Sequence, residues 1–492
     1  MVKPARYIFL SFFILFAFKS NAQFFDSLAA SAGFNYRISN KDYPPFWFVS
    51  NKFGTATNRK SDLTSFVRIS NKNVLTSTES QNAQGLYDNY DLGLKYGLSV
   101  YNNNQFRSTF IEEGYVKLEY KNWSLRAGRF EETTGDLDRD LSTGSLGVSP
   151  NALPIPKIGV AVTDYTKLPF TGGWVQFKGT FAHGWLGDRR YIKNTYYHEK
   201  TFFLRFGPGA LKFYVGVEHF AEWGGHRGKE EFGNTFRDFR NVVFIKENNS
   251  AGELASHGGD HRGVLDGGLY WETSDFSLHG YLQKPFEGKN DIGFGTLNGL
   301  AGIRVSFKDK YLGLQKFVIE VLNTKGVDNS ISVNQRESYY NNSLYKTGWE
   351  YLDNVIGTPL FTNRLRGSDY FAGLSPIDWN GPDTVPGNSN IINNRVFAIH
   401  GGALYSITGR LDGKTMLTYT NNSGSAAYAD LFSGGKSQFY CLQQISYDIP
   451  KYNIGVNAGL GFDFGQLSGN DITGITIGID WNIPVRFVTG ND

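Results

Sequence analysis

Four histidines in one stretch of this sequence have the side-chain types of a metal site. His219, His226, His257 and His261 lie close together, and Asp260 directly precedes the last of them. Zinc sites hold such ligands on a rigid scaffold, whereas this stretch is rich in Gly and lacks the HExxH pattern of a metal-binding helix. We interpret these residues as polar loop side chains and predict no metal ligands among them.

Three aspartates alternate in the manner of the first ligands of a calcium loop. Asp136, Asp138 and Asp140 have the required spacing, but Leu141 stands where the loop needs Gly and no Glu closes it. The sequence therefore excludes an EF-hand and leaves a looser cation site open.

Adjacent carboxylates could serve the paired acid chemistry of a glycosidase. The pairs are Glu112-Glu113, Glu131-Glu132 and Glu230-Glu231. Neighbours in a strand point to opposite faces, so the first pair should not converge on one bond, and the other two lie in predicted loops. No G-x-S-x-G motif is present, although isolated Ser and His residues leave an acyl hydrolase open. We predict no enzyme, no catalytic residue and no cofactor.

The strands that would position such side chains are clearest at the end of the chain. Every second residue from Ile475 to Phe487 is apolar, and the residues between them are small, polar or charged. Residues 453–464 repeat this alternation. Strands that are apolar on one face only, over about 10 residues, are typical of transmembrane β-barrels. The sequence therefore predicts a bacterial outer-membrane protein.

The N-terminus predicts export. Lys3 and Arg6 precede an apolar run from Tyr7 to Phe18, and Ser20-Asn21-Ala22 offers small residues at a cleavage site. We expect residues 1–22 to be a cleaved signal peptide and residues 23–492 to form the barrel.

Composition agrees with a barrel. The chain has 58 Gly and 16% aromatic residues, a mean hydropathy of −0.34 and a net charge of only +3. Gly serves bends and turns, aromatics serve interfacial girdles, and the small charge gives no reason to expect nucleic acid as a partner. Because Cys441 is the only cysteine, no internal disulfide can form.

Alternating segments predict an all-β, antiparallel barrel of about 18 strands with long extracellular loops. The predicted strands are 31–38, 45–53, 64–71, 91–101, 109–121, 123–130, 172–181, 202–207, 211–220, 268–274, 276–284, 300–308, 314–323, 396–407, 410–421, 437–447, 452–464 and 473–487. Connections after odd-numbered strands should face outward, which assigns 72–90 and 324–395 to the outside and 102–108 to the inside. Residues 131–171 are too long for an inner turn and contain a missed hairpin, a lumenal segment or a periplasmic element.

Polar and charged side chains are predicted to line the lumen. Lys117, Glu119 and Lys121 share one face of their strand, as do Arg304 and Lys308 of another. A mixed-charge interior suits water or sugar hydroxyls better than a lipid cargo.

Several short stretches resemble the capsule assembly Wzi-like outer-membrane proteins of the type common in Bacteroidetes. They are Pro45 to Gly54 (PFWFVSNKFG), Gly114 to Lys117, Ala127-Gly128-Arg129, Leu153 to Ile158, Pro169 to Gly179, Gly216 to Phe220, Glu222 to Gly225, and Asn393 to Val396 leading to His400. The resemblance implies a barrel of about 18 strands that anchors or assembles capsular polysaccharide without catalysis.

The long insert at about 324–395 is the predicted place of contact with polysaccharide. Aromatic faces can stack on sugar rings, and outward loops hold six candidates: Trp223, Trp349, Trp379, Tyr339, Tyr340 and Tyr370. Outer-membrane lipid is the other expected partner, and the sequence leaves the oligomeric state open. The alternative function is a general diffusion porin for small hydrophilic solutes, whose open lumen a long capping loop disfavours.

Overall fold

The computed structural model describes residues 27–81, 87–245, 258–287, 298–309, 313–327, 339–381 and 390–484. The expected signal peptide, His257 and the end of the predicted last strand lie outside these residues. Among the described residues, no helix is long and apolar enough to cross a membrane.

Eighteen antiparallel strands form one closed sheet. They are β1 (Ala29–Ser39), β2 (Ser61–Gln81), β3 (Tyr87–Asn103), β4 (Ser108–Tyr120), β5 (Trp123–Arg129), β6 (Lys157–Lys167), β7 (Val175–Trp185), β8 (Tyr196–Phe206), β9 (Leu211–Trp223), β10 (Asp260–Glu272), β11 (Phe276–Phe286), β12 (Gly299–Phe307), β13 (Gly313–Asn323), β14 (Val396–Thr408), β15 (Leu411–Asn422), β16 (Lys436–Ile449), β17 (Ile454–Gly465) and β18 (Ile472–Ile483). Each strand pairs with its neighbours in the sequence. The first and last strands close the ring, with Ala30 opposite Ile483 and Ser39 opposite Gly474.

Alternation along the strands separates a lipid-facing surface from the lumen. In β18, Ile475, Ile477 and Ile479 are each about half exposed on the outer face, whereas Gly478 is buried on the inner one. In β1, Arg37 turns inward and pairs with Asp62 of β2 at 2.5 Å. The predicted transmembrane barrel is confirmed.

Connection lengths distinguish the two ends of the barrel. Connections after even-numbered strands are short, such as Gly409-Arg410, whereas 130–156, 224–259 and 324–395 all follow odd-numbered strands. In outer-membrane barrels the long connections face outward, so we call their end the outer end.

The predicted strand number is confirmed, although two assignments were wrong. Residues 45–53 form no strand: Phe46–Val49 is a short helix, α1, whose four side chains are all buried. A continuous apolar run cannot be distinguished as helix or strand by its periodicity, and the preceding Pro45 favours a helix start. The missed strand is β6, within residues 131–171.

Because of these two errors, the connections between strands β2 and β5 were predicted at the wrong end of the barrel. Residues 72–90, predicted as an outer loop, include the end of β2 and the start of β3, and the connection between these two strands lies at the inner end. The connection within 102–108, predicted as inner, lies at the outer end.

Three connections fold back into the lumen and fill its outer part. We call the described residues of 40–60, 130–156 and 339–363 the plug. Trp47 Nε1 donates to Thr418 Oγ1 at 3.1 Å, and Ser142 Oγ donates to Glu320 Oε1 at 2.6 Å, so both plug segments bind the wall. Trp349 Nε1 donates to Gly147 O at 2.8 Å and joins two plug segments to each other. Their apolar side chains and those of the inner wall form one continuous core.

Helices lie only in the connections of the described chain. Besides α1, they are α2 (Phe236–Val243), α3 (Arg364–Tyr370) and the short 3-10 turns Ala426–Phe432 and Pro450–Tyr452.

A charged side chain should be tolerated on the lumen face of β18 but not on its lipid face. Ile477→Lys places a cation near mid-bilayer on the lipid face and should lower the free energy of unfolding by about 2–4 kcal/mol. Thr476→Lys, one residue away on the lumen face, should cost clearly less. Denaturant unfolding in lipid vesicles measures both, and equal losses would contradict the assigned faces.

Candidate functional site

A cleft of about 400 Å³ opens at the outer end between the wall and the plug. It is lined by plug residues 54–59, the β3–β4 hairpin, residues of the other two plug segments, and Arg189 of the β7–β8 connection. We call it the outer cleft. Its position makes it accessible from outside the cell.

Charged and amide side chains line the mouth of the outer cleft. Arg189 and Asp353 form an exposed ion pair at 2.6 Å, and Arg59 is a further exposed cation of the lining. Asn104 N–H donates to Asp62 Oδ1 at 2.7 Å, which fixes the hairpin, while the buried Asn104 Oδ1 has no hydrogen-bond partner. Guanidinium and amide groups offer several donors and acceptors to a ligand.

The floor of the outer cleft is apolar. Phe110 of the wall and Leu153 and Phe361 of the plug contribute to it. An apolar floor below convergent polar groups can bind a polyhydroxylated ligand, because the ring faces of sugars are apolar and their hydroxyls are not.

Arg366 of α3 connects the outer cleft to the plug core. Its Nε donates to Tyr370 Oη at 3.0 Å, and its guanidinium carbon lies 4.8 Å from the centre of the Phe46 ring. The contact with Phe46 holds α3 against α1, while the bond to Tyr370 lies within α3 and fixes the guanidinium of this cleft residue.

Four of the six predicted sugar-binding aromatics are buried in packing. Trp349 and Tyr340 are fully buried in the core, and Tyr339 packs beside Tyr340 with ring centres 4.6 Å apart. Trp223 packs against Phe239 of α2. These rings lack an exposed face for stacking, and their surroundings support a packing role.

The other two predicted aromatics are only partly buried. The Tyr370 ring packs edge to face against Tyr43, with ring centres 5.5 Å apart. Its hydroxyl accepts a hydrogen bond from Arg366, which lines the outer cleft. Trp379 packs against a separate small cluster that includes Tyr345 and Phe232. Sugar contact by Tyr370 and Trp379 stays a prediction.

A β-bulge overturns the argument that Glu112 and Glu113 must diverge. The register between β3 and β4 shifts there, with Ser99 opposite Glu113 and Val100 opposite Ile111. Carboxylate oxygens of Glu112, Glu113 and Glu131 consequently lie within 4.8 Å of one another.

Protein cations already neutralise the three aspartates that resembled a calcium loop. Asp136 pairs with Lys178, and Asp138 and Asp140 pair with Lys316 at 2.8 and 3.3 Å. The looser cation site left open at this position is therefore not supported.

The histidines do not form one outward loop. His219 and His261 lie on neighbouring strands, β9 and β10, with Nε2 of the first 2.9 Å from Nδ1 of the second. His226, in the β9–β10 connection, contacts Asn194 of the β7–β8 connection.

Family comparison identifies the chain independently of these details. The model of the capsule assembly protein Wzi matches residues 47–375, more than half of the chain. This chain belongs to the Wzi family. The predicted family resemblance is thereby confirmed.

Solved structures align with this Wzi family member at low sequence identity, and that of Wzi of Escherichia coli shares its barrel fold. Wzi of Escherichia coli is described as an outer-membrane protein involved in group 1 capsule assembly and as a carbohydrate-binding β-barrel. It aligns with a TM-score of 0.55 and 14% identity over 92% of this chain and 85% of its own. OccK5 (OpdH) of Pseudomonas aeruginosa aligns with a TM-score of 0.48 and 9% identity over 94% of this chain and 100% of its own. No curated protein matches this chain in sequence.

Sequence reasoning missed the polar residues of the outer cleft. The run Asn102-Asn103-Asn104 and the charged Arg59 were visible signals. The Asn run was placed at the inner end because the strand assigned to residues 45–53 shifted the strand numbering. Arg189 and Asp353 are far apart in sequence, and only folding of the insert brings them together.

Glu350, below the outer cleft, makes the stability of the folded protein depend on pH. Burial raises the pKa of its carboxyl to about 7, although Asn363 and Asn390 donate to the carboxylate at 2.7 and 2.6 Å and oppose the shift. The folded protein thus binds this proton more tightly than the unfolded chain. The resulting stabilisation is complete below the unfolded pKa and is lost as the pH rises through 7.

Glu350→Gln should therefore stabilise the protein more at pH 8 than at pH 5. Gln keeps an oxygen for both Asn donors and removes the buried charge, a gain on the order of 3 kcal/mol at most. Unfolding midpoints in detergent at both pH values measure the effect, with Glu230→Gln in an exposed loop as the control. An equal change at both pH values would show that Glu350 is not the titrating group.

Proposed function

We propose that the protein is a non-catalytic outer-membrane barrel that binds surface polysaccharide at the outer cleft and aids capsule assembly. The observation that carries the proposal is a polar cleft above a lumen filled by protein. Membership of the Wzi family supports it, as does the description of the E. coli protein as a carbohydrate-binding barrel.

Recognition would use the polar lining of the outer cleft. Arg59 and the Arg189–Asp353 pair can engage sugar hydroxyls or acidic sugar groups, while Phe110 contacts a ring face. Tyr370 and Trp379 are candidates for contacts with the polymer beyond the cleft. Binding in this way needs no bond to be made or broken.

The filled lumen disfavours the alternative function of a diffusion porin. Plug segments bind distant parts of the wall, as Trp47 does at Thr418 of β15 and Glu132 does at Arg126 of β5. A hydrated path for solutes would require these buried contacts to separate.

Removing two arginines of the outer cleft should release polysaccharide without unfolding the barrel. Arg59→Ala combined with Arg189→Ala should weaken binding of purified capsular polysaccharide at least tenfold, since charged hydrogen bonds contribute about 1.5–3 kcal/mol each. Loss of the exposed Arg189–Asp353 pair should cost the fold ~1 kcal/mol or less.

Binding and surface retention should change together in this variant. In a deletion strain producing equal total polysaccharide, the wild-type gene should restore cell-bound polymer and the double variant should leave it in the medium. Arg410→Ala, an exposed arginine at the inner end, is the matched control. Full retention by the double variant would exclude the outer cleft as the contact, and full retention without any gene would exclude a role in attachment.

Single-channel measurements address the porin alternative separately. The reconstituted wild-type protein should give no large steady conductance, because the plug occupies the lumen. Large, stable openings in a lipid bilayer would instead favour a channel.

A further inference from the structure

Helix α2 lies on the outer, membrane-facing side of the barrel wall. In β9, Phe220 belongs to the core within the barrel, whereas the adjacent Ala221 faces outward and packs with Trp223 and Val242 of α2 in a separate cluster. Phe239 of α2 stands 5.7 Å from Trp223 between ring centres. The connection between β9 and β10 therefore leaves the barrel mouth and folds down over its outer surface.

The position of α2 is fixed at both helix ends. Thr235 and Asp238 form a capping box, in which Thr235 N–H donates to Asp238 Oδ2 at 3.0 Å and Asp238 N–H donates to Thr235 Oγ1 at 3.3 Å. At the other end, Lys200 Nζ on the wall donates to Val243 O. A capped helix that is anchored to a strand presents its exposed face in a constant orientation.

Large apolar side chains are exposed at both ends of α2. Phe236 is 80% exposed, Phe244 67% and Ile245 46%. The wall beside the helix carries further exposed aromatics, among them Phe181 and Phe202. The apolar surface of the helix thus continues the lipid-facing surface of the barrel.

Two arginines accompany these apolar groups. Arg237 and Arg240 are exposed on α2, and within the described chain neither pairs with a carboxylate. The acidic residue of the helix, Asp238, is buried in the capping box. The exposed surface therefore combines apolar rings with two arginines that form no ion pair among the described residues, a combination found in helices that lie at membrane interfaces.

We propose that α2 is an interfacial helix that binds the phosphate groups of the glycolipid in the outer leaflet. The helix lies at the outer end, where an outer membrane exposes lipid A with its sugar-linked phosphates. Phe236, Phe244 and Ile245 enter the acyl boundary, and Arg237 and Arg240 bind the phosphates. This lipid contact does not depend on the proposed polysaccharide cleft, which lies on the plug side of the wall.

The test measures binding of defined lipids to the full-length, delipidated barrel by native mass spectrometry. The probes are bis-phosphorylated lipid A, the same lipid A without phosphates, and phosphatidylglycerol. Arg237→Gln combined with Arg240→Gln preserves helix-forming side chains and removes both charges. Binding of the phosphorylated lipid A should fall about 30-fold, since each basic group at a charged membrane surface contributes about fivefold.

Control variants separate charge, apolar contact and folding. Arg410→Gln at the inner end should bind all lipids as the wild type does. Phe236→Ser with Phe244→Ser should weaken binding of lipid A with and without phosphates alike. The mobility of the unheated, folded barrel in gel electrophoresis verifies folding for every variant.

Three results would overturn the proposal. They are unchanged binding by the double arginine variant, equal wild-type affinity for lipid A with and without phosphates, and arginine-dependent binding of phosphatidylglycerol as tight as that of lipid A. The last would assign the site to phospholipid. Selective, arginine-dependent binding of phosphorylated lipid A would establish the glycolipid contact.

Discussion

Closure of the backbone hydrogen-bond ladder is the constraint on which the rest of this structure depends. A strand edge in hydrocarbon would leave N–H and C=O groups without partners, at a cost of several kcal/mol each. Pairing of β1 with both β2 and β18 removes that edge. With the ring closed, alternation divides the strands between lipid and lumen except at bulges such as that of Glu112 and Glu113, and the single Cys441 needs no partner to hold the fold.

The inner face of the closed wall brings charged groups together away from bulk water, so they need partners. Plug residues supply many of these partners. Glu132 of the plug accepts from Arg126 of the wall at 2.6 Å and also pairs with Lys157, which in turn pairs with Glu199 at 2.6 Å. Burial opposes ionisation of Glu132, but the two cations prevail and lower the pKa of its carboxyl to about 2. Removing one member of such a network would leave an unpaired buried charge. The polar lumen and the plug therefore stabilise each other.

Strand periodicity predicted most of the wall because strict alternation of apolar and polar residues indicates a strand, whereas a continuous apolar run could be strand or helix. It misplaced residues 45–53, where Phe46-Trp47-Phe48-Val49 is apolar on all sides and so carries no period. It also missed β6, whose lumenal half is buried under the plug. The alternation in β18 was read correctly because one face meets lipid and the other meets the lumen.

The outer cleft was less accessible to sequence reasoning than the wall. Its groups come from separate connections, and the pairing of Arg189 with Asp353 exists only after the plug has folded. Aromatic residues of the insert were expected at the surface, but Trp349 and Tyr340 are fully buried because the insert folds into the lumen. Neither the direction of a loop nor the two-residue bulge at Glu112 and Glu113 has a periodic signature.

The plug consists of three loops, each joined at both ends to neighbouring wall strands. It therefore has no free terminus by which it could be withdrawn as a single body. Its contacts also connect distant parts of the chain, as Trp47 and Thr418 are 371 residues apart. Contacts of such sequence separation pay a large loop-closure entropy and form slowly. Closure of the wall pairs Ala30 with Ile483, which lie still further apart in sequence. Local hairpins between neighbouring strands should consequently form first, and ring closure and plug packing should follow as the late steps of folding.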